Sequence, residues 1–142
     1  MKYGVAEILS MAENESDIKK RVAILQANDS TVLRDVVKLA FDKVIKWAIP
    51  EGTPPYKENA VPGCQPNLYS GWRRMYLFFP GGGGEMPQLK REAFFIQFLE
   101  SLDPADAKLI CAVKDKSMPY KIPKAQFEKA FPGIFDFSAR DR

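Results

Sequence analysis

The chain has 142 residues, 46% of them apolar and 27% charged, with a net charge of +3 and no histidine. That length and apolar content suit one folded domain with a core of its own and lie far from the composition of disordered chains. The missing imidazole excludes Ser-His-Asp and Cys-His machinery and Cys/His zinc sets, and the mild, scattered positive charge does not by itself indicate nucleic acid.

Two cysteines, Cys64 and Cys111, stand far apart without a C-x-x-C pair, which reads as reduced thiols in a cytoplasm. No apolar run approaches the roughly 18 residues of a membrane span.

In chain order, Val5, Ile8, Leu9 and Ala12 have helical spacing, but Gly4 and the nearby chain end predict a short, fraying helix. Asn14 and Ser16 offer N-caps for a second helix that sets Ile18, Val22 and Leu25 on one face. Ser30 offers a further cap. Behind it "STVLRDVVKLAFDKVIKW" places Leu33, Val36, Val37, Ala40, Phe41 and Val44 on one side, with Arg34, Asp35, Lys38, Asp42 and Lys43 opposite. This helix is expected to run until Pro50 stops it, with Trp47 in its last turn.

Residues 49–67 hold five prolines and two glycines, too many missing N–H groups for a helix or a central strand. Tyr56 beside Pro54 and Pro55 could serve there as a docking strap, while an ordinary surface loop packs its aromatic on its own domain. "LYSGWRRMYLFF" fits a helix with Tyr69, Trp72, Met75, Tyr76 and Phe79 on one face and Arg73 and Arg74 on the other, though its apolar end also suits a strand.

Pro87 suits the first turn of the next helix, in which Arg91, Phe94, Phe95, Phe98, Leu99 and Leu102 recur at helical steps. Asp103, Pro104 and Asp106 resemble a capping box opening a helix to about Lys116. Pro123 starts a last short helix with Phe127, Ala130 and Phe131 on one side, ended by Pro132-Gly133. The expected fold is an irregular all-α bundle of about six helices in one domain, with a Pro-rich loop at 49–67, a Gly-rich loop at 80–86 and a tail at 134–142.

Four features could carry chemistry. The run "PGGGGEMP" suggests a phosphate loop, but Glu85 stands where phosphate would approach, Lys90 lies inside the next helix, and no Ser or Thr follows for Mg²⁺. A hinge between two helices explains it better. Asp103 and Asp106, with Glu100 and Asp115 nearby, are accounted for by helix capping, since metal or acid–base work needs several converging carboxylates.

The basic pairs Arg73-Arg74 and Lys90-Arg91, interleaved with tyrosines, could track a nucleic-acid backbone, although acids are interspersed almost one for one. The tail "KAFPGIFDF" must dock its large apolar groups on the core or on a partner. As a short motif it resembles the hydrophobic and acidic C-terminal tails with which polymerases and late-transcription factors of T4-like phages engage their sliding clamp.

The blocks "ILQANDSTVLRDVVKLAFD", "IPEGTPPYK", "RRMYLFFPGG" and "LKREAFFIQFLESLDPADAKLICAVKDKSMPYK", with a closing "AFPG", resemble a family of small uncharacterised proteins of T4-like tailed phages, notably those of cyanobacteria. The resemblance implies a phage protein made in the host cytoplasm and carries over no catalytic residues. The glycine run and "IFDFSARDR" depart from the family pattern.

The expected activity is therefore that of a non-catalytic accessory binding protein, with no cofactor and no metal, acting by protein contacts on replication or transcription machinery. The expected contact residues are Pro54, Pro55, Tyr56, Arg73, Arg74, Lys90, Arg91, Phe135 and Phe137. A nucleic-acid-binding module is the alternative, followed by a minor virion component.

Overall fold

The computed structural model describes residues 3–42, 45–57, 67–80 and 86–135. Among them the order is α1 (Val5–Asn14), α2 (Ile18–Ala27), α3 (Thr31–Phe41), α4 (Asn67–Gly71), a 3₁₀ helix (Trp72–Phe78), α5 (Gln88–Ser101), α6 (Pro104–Lys114) and α7 (Lys124–Ala130). The described residues contain no strand, so the fold is all-α.

Helix α6 forms the axis. Its residues Asp106, Ala107, Leu109, Ile110, Cys111, Val113 and Lys114 are all buried, and α1, α3 and α5 pack around it. A helix that is apolar nearly all round has to sit inside the molecule. It closes with the Ser117 N–H on the Ala112 carbonyl and the Lys116 N–H on that of Val113, with Lys116 at φ 62°. This is a Schellman ending with lysine at the left-handed position usually given to glycine.

Helix α1 is buried along one whole face, through Val5, Ala6, Ile8, Leu9 and Ala12, and is not the fraying segment that its glycine predicts. Neither of its ends is self-sufficient. Gly4 at the N-cap has no side chain to bond with; Asp106 Oδ1 of α6 instead accepts the Ala6 N–H at 2.8 Å. At the other end, Arg21 of α2 donates to the carbonyls of Ala12 at 2.8 Å, Glu13 at 3.2 Å and Glu15 at 2.8 Å. A carboxylate at the N-terminus and a guanidinium at the C-terminus satisfy orphan backbone groups and match the helix dipole. The same Arg21 reaches Gln126 of α7 at 2.9 Å, tying α7 to the α1–α2 pair.

Several local expectations shift. Asp17, not Asn14 or Ser16, caps α2, its side chain accepting the Lys19 N–H, and this leaves Ile18 in the exposed first turn. Ser30 caps α3 as expected, accepting the Leu33 N–H. Helix α3, however, stops at Phe41 rather than running toward Pro50. Asp42 is buried rather than on the water face and accepts the Ile45 N–H at 3.4 Å, a local side-chain bond that competes with helix continuation. Trp47 thus lies outside any helix yet still closes the core, 4.6 Å from the Phe79 ring and 6.4 Å from Phe95. Lys43 and Val44 fall outside the described residues.

The segment 72–78 is helical but wound as 3₁₀, which changes its inward face. With three residues per turn, Trp72, Met75 and Phe78 align. Met75 and Phe78 are buried, while Tyr76, expected inside on an α period, is 59% exposed. Asp103 stands at the N-cap of α6 without a side-chain cap bond; the carboxylate expected to complete its box, Asp106, is the one turned to α1. Helix α7 buries Phe127, Ala130 and Phe131 as its spacing predicts.

Asp106 is only 2% exposed, and burial, partly offset by the Ala6 N–H and reinforced by Asp103 and Glu7, lifts its pKa from 3.8 to about 6. The folded state therefore holds a proton that the unfolded chain has lost between these values, and stability from this group falls as pH rises through 6. Asp106→Asn keeps the acceptor without the charge. Its urea-unfolding free energy should match wild type near pH 4 and exceed it by on the order of 2–3 kcal/mol above pH 7. Asp106→Ala, which loses the acceptor as well as the charge, should be destabilised by about 1–3 kcal/mol near pH 4 and lie below Asp106→Asn by about that amount at both pH values.

Candidate functional site

Helix α5 is divided lengthwise by its own sequence. Arg91, Phe95, Phe98 and Leu99 turn into the core, together with Leu102 just past the helix end. Glu92, Ile96 and Glu100, at steps of four, face the segment 49–57. Lys90, Phe94, Gln97 and Ser101, at steps of four, three and four, face the 3₁₀ helix. Three stripes at helical spacing give one helix three different neighbours.

On the Glu92 side lies the Pro-rich segment. Ile49 to Pro55 meet Glu92, Phe95 and Ile96 around a cavity of about 190 Å³. Thr53 and Tyr56 meet Lys108, Cys111, Ala112 and Asp115 of the α6 region around another of about 190 Å³. The strap is held by polar bonds from the two helices and the turn after α6. Lys114 Nζ donates to the Pro50 carbonyl and to Asp115, each at 2.7 Å. Asp115 accepts the Gly52 N–H at 3.2 Å, and Glu100 accepts the Lys57 N–H at 2.8 Å. Proline removes some of the strap's donors, and the N–H groups of Gly52 and Lys57 are met by side chains.

Tyr56 is half-buried against the core, Pro54 is half-buried and Pro55 exposed. Beneath the strap, burial pushes the Cys111 thiol above its ordinary range, against the pull of Lys114.

On the other side of α5, a groove of about 400 Å³ separates it from the 3₁₀ helix, lined by Arg74, Leu77, Phe78, Phe94, Gln97, Phe98 and Ser101. Phe78 and Phe98 form its floor, with ring centroids 5.6 Å apart. The Lys90 ammonium lies 5.8 Å from the centre of the Phe94 ring, within cation–π range. Arg73, Arg74 and Lys90 are exposed, whereas Arg91 is only 8% exposed and belongs to the core. The second basic pair is thus split by the helical turn, and its arginine leaves the surface. Tyr76 and Leu89 are 59% and 82% exposed.

Gly71 sits where the 3₁₀ helix begins. A Cβ there would come 2.9 Å from Phe98 Cε1, so the glycine lets this helix approach α5 closely enough to form the groove floor.

Phe135 lies on the chain's own Phe41, ring centroids 5.2 Å apart and edge to face, with Lys124 Nζ 5.0 Å from its ring centre. Phe137, Cys64 and Gly81 to Glu85 of the glycine run lie outside the described residues. Among the described residues no three Cys, Asp or Glu side chains gather at one point, and no helix is long and apolar enough to cross a membrane. Sequence reasoning missed the groove because it put Leu77 and Phe78 off the inward face. The three-residue repeat Trp72, Met75, Phe78 was the signal that could have found it.

Residues 8–120 match the model of the family of unknown function DUF6433. The chain belongs to the DUF6433 family. The matched stretch runs from within α1 through α6 to Tyr120 and so includes the strap and both walls of the groove, while α7 and the Phe135 contact lie beyond it. Neither curated proteins nor solved structures provide a match.

Two outcomes are expected from this geometry. In a Cys64→Ser background, Glu100→Ala or Asp115→Ala should raise the rate of Cys111 labelling by a thiol reagent about tenfold, because each removes a strap anchor worth roughly 1.5 kcal/mol. Gly71→Ala should lose about 1–3 kcal/mol in denaturant unfolding, with part of the loss recovered when Phe98→Leu is added.

Proposed function

We propose that this DUF6433 protein is a non-catalytic accessory binding protein of a T4-like phage. It acts in the host cytoplasm by protein contacts with replication or transcription machinery of the phage or the host. The observation that carries the binding reading is the open apolar groove between the 3₁₀ helix and α5, bordered by Arg74 and Lys90. Exposed Tyr76 and Leu89 sit on the same two elements. An apolar centre with a polar, cationic edge is the make-up of a protein-binding patch.

The groups whose chemistry burial alters have structural work instead. Asp106 holds α1, and Cys111 lies under the strap. The phage setting rests on the resemblance of the order of sequence blocks to small proteins of T4-like phages. Nucleic acid is the second reading, favoured by Arg73, Arg74 and Lys90 exposed near Tyr76.

Affinity capture with the full chain from phage-infected host cells, with and without nuclease, separates these readings. A protein partner should survive nuclease, and its affinity should change little with salt. Loss of every partner on nuclease treatment, or an affinity falling with salt as several phosphate contacts require, overturns the protein reading.

A further inference from the structure

We propose that the groove between the 3₁₀ helix and α5 is a docking site for a short acidic segment of a partner protein that carries a large aromatic or aliphatic side chain. This rests on the reading of the chain as a protein-binding module and specifies what the partner must present.

The first argument is shape and polarity. Leu77, Phe78, Phe94 and Phe98 supply an apolar floor and walls in a volume of about 400 Å³, enough to receive a large side chain and exclude water around it. The second is the sign of the charge. Arg74 is the charged residue lining the groove, and Lys90 stands over Phe94 at its wall.

The acids of α5 are elsewhere: Glu92 borders the strap cavity and Glu100 is bonded to the Lys57 N–H. Among the described residues the groove thus presents cations beside apolar surface with no carboxylate in its lining, a field that favours an acidic ligand and repels a basic one.

The third argument is how the 3₁₀ winding displays these groups. Residues three apart eclipse, so Arg74 and Leu77 share one edge and offer a charge and an apolar contact together. Gln97, exposed on the facing stripe, supplies an amide donor and acceptor for an extended ligand backbone. Nucleic acid fits less well, since tracking phosphates takes a row of cations along a groove, whereas among the described residues this groove has one arginine in its lining and a floor of hydrocarbon.

The test uses the intact chain and three fluorescent probes in anisotropy titrations. One is a peptide of about twelve residues alternating Asp and Glu with Phe and Leu; the second is its twin with Lys for every acid; the third is an oligothymidylate of equal negative charge. The acidic peptide should bind at least about tenfold more tightly than either of the others. Arg74→Glu should weaken it about five- to tenfold, and Gln97→Trp, which fills the groove from an exposed position, should weaken it more. Lys19→Glu on α2 should leave it unchanged.

Equal binding of the lysine twin, tighter binding of the oligonucleotide, or undiminished binding by Arg74→Glu and Gln97→Trp with native circular dichroism would overturn the proposal. A partner captured from infected cells that survives nuclease and ignores both substitutions also removes the groove assignment, while leaving the protein-binding reading intact. Capture that depends wholly on nucleic acid removes that reading instead.

Discussion

The fold turns on how the two ends of α1 are satisfied. A ten-residue helix in isolation is marginal, and this one begins at a glycine that cannot cap it. Its N-terminal N–H groups face a carboxylate 100 residues away in sequence, Asp106 on Ala6, and its last carbonyls face the Arg21 guanidinium. Each group sits at the end of the dipole that attracts it. The carboxylate is taken from water to do this, and its raised pKa records the desolvation that the bond only partly offsets. With α1 held at both ends, α2 and α6 pack against it, and α7 follows through Gln126.

The candidate surface depends on that placement through α6, which positions α5. Because α6 is buried nearly all round, α5 can lean on it with only one of its three stripes. The other two remain available, one for the strap and one for the groove. The strap is fastened by Lys114, Asp115 and Glu100, and both acids of α5 lie on that side. Sign is separated across a single helix, with acids toward the strap and Lys90 toward the groove. A mixed stripe would have cancelled the field.

Much of this was legible in the residues. Leu33, Val36, Val37 and Ala40 revealed the inner face of α3, Ser30 its cap, Pro104 the first turn of α6, and Phe127, Ala130 and Phe131 the buried side of α7. Each is a local pattern, decided within one or two helical turns, so the linear spacing carries it. The apolar stripe of α5 was equally plain, including Arg91, whose place on that stripe is why it is buried even though its neighbour Lys90 is not.

What the chain could not reveal alone are the choices made between distant residues. Nothing near Gly4 indicates that α1 will be capped, because its partners are at positions 21 and 106. The spacing of Asp103 and Asp106 suggested a box for α6, yet the second carboxylate is claimed by another helix. Whether 72–78 winds as α or 3₁₀ decides if Tyr76 or Phe78 goes inward, and Gly71 leaves room for the close approach to Phe98 at the start of that segment. Composition and period determined that the fold is all-helical, with a proline-bearing break after α3. Only tertiary packing decided where buried charges find partners and which side of α5 is left open, since both depend on surfaces that meet only when the chain is folded.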